Sequence, residues 1–392
     1  MRIFVAHNFY QQAGGEDVVF RAETDLLEQK GHDVYRYTVH NDAVDKMGRL
    51  ALAGATVWNS ESYRELKALF DDWQPDIVHV HNTLPLISPA IYYAAQRAGA
   101  GVVQTLHNYR LFCPPSNFYR DGKVCELCLG RLPWPAVRHA CYRDNRAASA
   151  AVAASLSYHR LRGTYSSRVD LYIALTQFAK DKFIEGGFDG NKIEVKPNFV
   201  GTDPKPGAGA GGYALYVGRL AEEKGIGTLL ESWSGDNAFP LKIVGDGPLA
   251  PDVRTAAENH PNIDYLGRQD RNQVLSLMKD AAFLVFPSTW YEGLPTVIIE
   301  AFACGLPVVA SELGGTASLL EPGITGLYFE AGNSVQLKEK VRQLHEQPST
   351  LKEMRHAARQ RYENSYTPEA NYEQLIRLYK GVLAGRADLH KV

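Results

Sequence analysis

The sequence predicts two successive α/β domains, each a parallel sheet wrapped by helices, and three observations carry that prediction. Short β-branched runs recur with amphipathic stretches between them, the sign of strand–helix–strand units. The same scheme starts afresh after residue 213. Between the halves, residues 204–212 are glycine- and proline-rich with almost nothing to bury, which reads as a linker. A chain of 392 residues divided by a typical domain of roughly 150 residues agrees with two domains.

In the first half the strands are expected at 3–6, 33–39, 77–80, 102–106, 171–174 and 193–195. A helix beginning near Glu16 places Val18, Val19, Ala22, Leu26 and Leu27 on one face, and Gly31 ends it. In the second half strands are expected at 214–217, 241–244, 263–266, 283–286 and 308–310. The domains are therefore drawn as 1–203, linker 204–212, 213–367, and a terminal helical segment 368–392. The linker carries a formal G-x-G-x-x-G at Gly207, Gly209 and Gly212. These glycines precede a strand, whereas a dinucleotide fingerprint follows a strand and opens a helix, so the match is set aside.

Composition narrows the function. A formal net charge of -2 argues against nucleic acid as a partner, since that affinity comes from many Lys and Arg on phosphates. The charge is uneven, however: residues 131–168 hold seven Arg against the single acid Asp144. No run approaches the roughly 18 to 20 apolar residues of a membrane span. The first residues turn polar too early for a secretion signal, so a cytoplasmic protein with reduced cysteines is expected.

The chemistry concentrates in the second half. Glu292-Gly293-Leu294-Pro295-Thr296 lies between an expected strand end and an apolar helix, and Glu300 sits one turn into that helix. Backbone N–H groups near Thr296 are free to face a phosphate, and carboxylates on either side can accept sugar hydroxyls. Solvated helix-end charges are the alternative for both glutamates. Gly218-Arg219-Leu220-Ala221-Glu222-Glu223-Lys224-Gly225 leaves the first strand of this half and puts two cations at the carboxyl edge of the sheet, where open α/β sheets bind ligands.

The G-R-L-x-x-E-K-G run and the E-x7-E pair of Glu292 and Glu300 together resemble the donor site of retaining glycosyltransferase family 4. Ile243-Val244-Gly245-Asp246-Gly247-Pro248, Tyr265-Leu266-Gly267 and Phe286-Pro287-Ser288 follow in the expected order. The resemblance implies a GT-B fold, two Rossmann-like domains facing across a cleft, and an enzyme that moves a sugar from a UDP- or GDP-sugar to a saccharide or lipid-linked saccharide, as in surface polysaccharide or glycolipid synthesis. It implies that Arg219 and Lys224 neutralise the donor diphosphate, that Glu292 holds a sugar hydroxyl, and that Glu300 holds the ribose. Gly218, Gly293, Leu294, Pro295 and Thr296 would line the donor. Pro295 stands where the family often has glycine. In the first domain Gly14-Gly15 resembles the family's glycine loop, and His107, at a strand end, resembles the histidine that reaches the donor sugar, with Asn108 where aspartate is common. A plain turn and a structural histidine are the alternatives. His79 and His81 read as structural. A nucleotide-sugar epimerase, a phosphorylase or a non-catalytic binder on the same scaffold are rival functions.

Two features lie outside that resemblance. Cys113, Cys125, Cys128 and Cys141 are spaced C-x11-C-x2-C-x12-C across the loop 113–141, which has few apolar residues to fold it. The spacing fits a structural zinc, with thiols or disulfides as the alternative. No cofactor is expected for catalysis. The arginine-rich stretch, with Trp134, Tyr142, Tyr158 and an alanine-rich segment 146–162, suits the edge of an anionic bilayer and predicts a peripheral enzyme at the inner face of a membrane.

Overall fold

The computed structural model describes residues 1–11, 14–235 and 239–389, and the chain divides into two compact units. The first comprises 1–118, 126–197 and 371–392; the second comprises 119–125 and 198–370. Residues 390–392, assigned above to the terminal segment, lie outside the described residues.

In the first unit six parallel strands run in the order Asp33–His40, Arg2–Phe9, Ile77–Asn82, Gly101–Leu106, Leu171–Ala174 and Ile193–Val195. Helices cover the sheet, so its central strands are buried on both faces and read as apolar runs rather than alternations. Ile3, Val5, Ile77, Val103 and Ile173 form a core with Phe20 and Leu27 of helix Gly15–Gln29. Leu375, Ile376, Tyr379 and Val382 of helix Pro368–Leu389 complete it. The buried face of helix Gly15–Gln29 differs from the expected one. Val18 is 51% exposed, while Val19, Phe20, Glu23, Leu26 and Leu27 are buried. The helical period allows either face, and burying the Phe20 ring outweighs burying one valine.

The second unit has the strand order Ile263–Gly267, Leu241–Val244, Ala214–Val217, Phe283–Phe286, Val308–Ser311 and Gly326–Phe329, again parallel. The last strand was not expected from the sequence. Trp233, Ile243, Phe283, Val285 and Leu337 anchor its core. In both sheets the strand earliest in sequence has neighbours on either side reached by oppositely directed crossovers, and such switch points open a crevice at the carboxyl ends of the strands.

Two stretches behave differently from their sequence reading. Residues 204–212 are not a free linker: Gly207 N donates to Cys304 O at 3.0 Å, Gly209 N to Lys279 O at 2.9 Å and Gly211 N to Asp280 O at 2.8 Å. A Cβ on Gly207 would stand 2.2 Å from Lys279 O, so glycine is there for close approach rather than for looseness. The cysteine-bearing loop is also divided. Its hairpin, Tyr119–Arg120 with Lys123–Val124, belongs to the second unit, while flanking residues belong to the first. Those flanks are not short of apolar contacts: Phe112 packs at a tilt against Phe183 and edge-on to Phe188, with ring centroids 4.9 and 5.3 Å apart, and the Tyr109 ring centre lies 5.0 Å from that of Phe118.

Candidate functional site

At the switch point of the second sheet two loops meet, one leaving strand Ala214–Val217 and one leaving strand Phe283–Phe286. The first is held by Gly218 N to Val244 O at 3.1 Å, Leu220 N to Asp246 O at 2.9 Å and Tyr216 Oη to Arg219 O at 2.9 Å. It turns through Glu222–Lys224 into Gly225, whose φ of 73° is left-handed. A Cβ on Gly225 would stand 1.8 Å from Pro287 O, so only glycine lets the loops close. Thr289 N then donates to Glu223 O at 2.9 Å.

This closure brings the charged side chains together. Lys224 Nζ donates to Glu292 Oε1 at 2.7 Å, and Ser288 Oγ donates to the same oxygen at 2.9 Å. The ammonium also lies 4.9 Å from the centre of the Trp290 ring. Glu292 is buried and its backbone carbonyl accepts from Gly315 N at 3.3 Å. Arg219 pairs with Glu223 and keeps 59% of its side chain exposed. Glu300, in helix Thr296–Ala303, pairs with Arg271 at 3.3 Å, and burial raises its carboxyl above the usual range against that arginine. Pro295 caps this helix without a side-chain hydrogen bond, and Gly293, Leu294 and Thr296 complete the turn into it. The arrangement holds exchangeable cations and carboxylates at one sheet edge, beside uncapped helix N–H groups. Trp290 and Arg271 escaped the sequence reading, and Ser288, noted there only within Phe286-Pro287-Ser288, was given no role. Trp290 lies in the gap between the two motifs, where only spatial pairing reveals it.

The first unit has its own polar centre at its switch point. Asp17 accepts from Gly14 N at 2.9 Å and from His7 Nε2 at 2.6 Å, which fixes the Gly14-Gly15 turn at the start of helix Gly15–Gln29. Among the described residues no atom lies within 4 Å of where a Gly15 Cβ would stand. Past the end of strand Gly101–Leu106, His107 Nε2 lies 2.9 Å from His81 Nδ1. Behind His81 is Glu23, 3.3 Å from its Nε2 but poorly aligned for a hydrogen bond, and Lys196 Nζ closes on Glu23 at 2.9 Å. Glu23 favours a proton on His81 Nε2, so His81 Nδ1 accepts from His107 Nε2–H and leaves His107 Nδ1 as an acceptor. Burial, reinforced by the neighbouring histidines, holds His107 well below its ordinary value and keeps the ring neutral. Asn108 donates to Glu16 Oε2 at 3.2 Å, and burial lifts the Glu16 carboxyl.

His79 and His81, read as structural, are therefore part of this centre. Their i, i+2 spacing on a strand puts both rings on one face, a signal the sequence offered. His79 Nε2 meets Thr105 Oγ1 at 2.8 Å and its Nδ1 meets Tyr379 Oη at 2.7 Å. Glu23, His79 and His81 each bring a ligand atom within 4.8 Å of the others, the one such trio among the described residues. Lys196 already neutralises Glu23, so the trio reads as an ion-paired network. The thiols of Cys113, Cys128 and Cys141, all in the first unit, are not gathered to comparable spacing, and Cys125 belongs to the second. Burial pushes the Cys113 thiol up to about 11.

The arginine-rich stretch splits in two. Arg160 donates to Arg131 O and Gly186 O, and Arg168 to Gln96, so these are structural. Arg131, Arg138, Arg143, Arg146 and Arg162 are exposed. Helix Arg146–Leu161 turns Val152 and Leu156 inward and leaves Tyr158 and Leu161 exposed. Among the described residues no helix is long and apolar enough to cross a membrane.

Comparison with known proteins agrees with this geometry. The family profile for glycosyl transferases group 1 matches residues 206–361, and that for glycosyltransferase family 4 matches residues 13–204. An uncharacterized glycosyltransferase, MJ1178, of Methanocaldococcus jannaschii is 32% identical over 177 residues, covering 45% of this chain and 49% of that protein. The D-rhamnosyltransferase WbpZ of Pseudomonas aeruginosa is 31% identical over 159 residues, covering 40% and 42%. The chain thus spans about half the length of the curated relatives it matches. The crystal structure of Anabaena HepE in complex with UDP shares the fold, with a TM-score of 0.68 at 18% identity over 97% of this chain and 100% of that one. The two profiles together span residues 13–361 save one, and the chain belongs to this family of glycosyltransferases.

Proposed function

We propose that the chain transfers a sugar, with retention of anomeric configuration, from a nucleotide diphosphate sugar to a saccharide acceptor carried on a lipid. The observation that carries the reading is the Lys224–Glu292 pair clasped at the switch point of a Rossmann-like sheet. A diphosphate entering there takes over Lys224 as counter-ion and frees Glu292 to accept a sugar hydroxyl. Arg219, exposed beside it, adds a second positive charge. As the bond from C1 to the terminal phosphate oxygen breaks, its electron pair goes to that oxygen, and fixed cations stabilise the growing charge. The acceptor oxygen bonds to C1 on the same face, and its proton passes to the departing phosphate. In this reading Glu300 holds the ribose on the second unit, and on the first unit the Gly14-Gly15 turn and His107 contact substrate, His107 Nδ1 accepting from a sugar hydroxyl. UDP, the nucleotide in the HepE complex, is the first to try, with GDP the second. The five exposed arginines support attachment to an anionic membrane, and a zinc on the four cysteines remains the reading of their spacing alone.

The test is a screen of UDP-, GDP- and ADP-sugars against lipid-linked acceptors, with the anomeric configuration of the product read by NMR. A new glycosidic bond of unchanged configuration supports the proposal. An inverted product, or an isomerised nucleotide sugar without transfer, replaces it with another reaction on the same scaffold.

A further inference from the structure

A cavity of about 470 Å³ in the first unit is separate from the polar centre described above. It lies between helices Arg49–Val57 and Arg146–Leu161, and its walls include Leu52, Ala53, Leu84, Ala148, Ala151 and Val152. Pockets that bury small ligands run from roughly 300 to 1,000 Å³, so the space is large enough for one. Its ends are unlike. At one end Ser155 Oγ donates to Thr56 O at 2.9 Å and His159 Nε2 meets Val57 O at 2.7 Å, which ties the helices together near both their carboxyl ends. The two helices therefore run the same way, and both amino ends come to the other end of the cavity. Arg49 and Arg143 line that end, both exposed, and no Asp or Glu is among the described lining residues. The N-cap of helix Arg49–Val57 is Gly48, which has no side chain to cap the first turn. Leu50, 91% exposed, extends the apolar wall outward.

An apolar floor below a mouth with two arginines and the uncapped amino end of helix Arg49–Val57 is polarised along its axis, the other helix being capped by Asn145 Oδ1, which accepts from Ala148 N at 3.0 Å. Apolar surface of this kind favours hydrocarbon, and the mouth favours negative charge. The match is to a single-chain amphiphile with an anionic head: the chain displaces water from Leu52, Ala151 and Val152 while Arg49 and Arg143 keep the head in solvent. A sugar alone offers nothing to these walls, and an uncharged hydrocarbon nothing to the arginines.

We propose that this groove binds the hydrocarbon chain of a phosphate-headed lipid, with Arg49 and Arg143 on the phosphate, and that this lipid is the carrier of the acceptor. The second half of that statement rests on the transferase reading above; the binding itself does not.

Calorimetry of the full chain with farnesyl diphosphate below its micellar concentration tests the binding directly, with farnesol and inorganic pyrophosphate as the single-feature controls. Farnesyl diphosphate is expected to bind at least about tenfold more tightly than either control, because each lacks one of the two contributions. Ala151→Trp, which fills the groove, and the double variant Arg49→Glu with Arg143→Glu are each expected to weaken it by about tenfold or more. Urea denaturation followed by far-UV circular dichroism, with a native spectrum and a cooperative transition in both variants, reports that the substituted first unit is folded. Equal binding of farnesyl diphosphate to wild type and Ala151→Trp overturns the groove as its site, and equal binding of pyrophosphate reduces the site to a bare anion patch and overturns the proposal. If the groove binds the probe but no acceptor lipid supports transfer, the carrier role fails while the site stands. Should transfer to a lipid acceptor proceed with the same KM in Ala151→Trp, the groove is not where the carrier sits.

Discussion

The two polar centres of this chain use the same residue types in opposite ways. In the first unit Glu23, Lys196, His79 and His81 are all buried: Lys196 pairs with Glu23 at 2.9 Å, His79 is held by Thr105 and Tyr379, and His81 by His107. In the second, Lys224 and Glu292 pair at a partly exposed edge, and Arg219 is more than half exposed. A buried ion pair costs several kcal/mol to desolvate and cannot exchange partners cheaply, so it fixes geometry and protonation. A pair that keeps some contact with solvent, as Lys224 does with 23% of its side chain exposed, costs less to separate and yields more readily to a better counter-ion. The first centre is thus built to stay as it is, and the second to be rearranged by a ligand.

The sharpest way to break that contrast is to remove one member of the buried set. Glu23→Gln leaves Lys196 without its carboxylate and is expected to cost about 3–5 kcal/mol of stability, read by urea denaturation. A loss no larger than that from a surface substitution would mean the network is hydrated and exchangeable after all. The second centre should answer in rate instead. Lys224→Ala and Arg219→Ala are each expected to lower turnover at least about 10²-fold with little change in denaturation midpoint. Near-normal turnover in both would remove the donor site from this edge.

Acid adds a graded test. Burial, with His81 nearby, lowers His79 to about 3, so the folded protein keeps it neutral where the unfolded chain takes up a proton below about 6.5. Glu23 acts in the same direction. Burial alone would raise it, but Lys196, His81 and His79 outweigh burial and hold it well below its usual range. Its contribution is present above its unfolded value and is lost as pH falls through the folded one. Stability should therefore fall steadily from pH 6.5 downward, and a flat profile between pH 6.5 and 4 would contradict the neutral assignment of His79. Smaller still, Glu300→Ala is expected to raise the donor KM by about tenfold at nearly constant turnover, since a ribose contact serves ground and transition states alike. A fall in turnover at saturating donor would move Glu300 into the chemistry.

Zinc is the remaining question for the loop 113–141. About one equivalent per chain after chelator-free purification would support the reading from cysteine spacing. No metal would leave the packing of Tyr109, Phe112 and Phe118 to hold the flanks alone.

Why some of this was legible and some not follows from where the information lies. Strands such as 171–174 and 283–286 announce themselves because short apolar runs between turns have few other uses. Gly326–Phe329 does not, being four residues long and opened by glycine. The motifs at Gly218–Gly225 and Glu292–Glu300 were readable because each is contiguous. That Lys224 and Glu292 touch was not, since 68 positions separate them. Residues 204–212 misled for the same reason. Glycine advertises freedom in sequence, but the carbonyls of Lys279, Asp280 and Cys304 that occupy these N–H groups come from elsewhere in the unit. Composition describes what a segment can do alone, and the buried polar network of Glu23, His81 and Lys196 exists only once three distant elements are packed.

Gly225 shows what such a contact means for how this protein can vary. With Pro287 O standing 1.8 Å from where its Cβ would be, position 225 admits one amino acid among twenty if the loops bearing Lys224 and Glu292 are to stay shut. A saturation library at this codon, selected for nucleotide binding, should collapse to a single survivor, while its neighbour Glu222, exposed, tolerates a broad alphabet. The two motifs then drift through sequence space as one unit, coupled by a backbone oxygen that no pairwise comparison of their side chains would reveal.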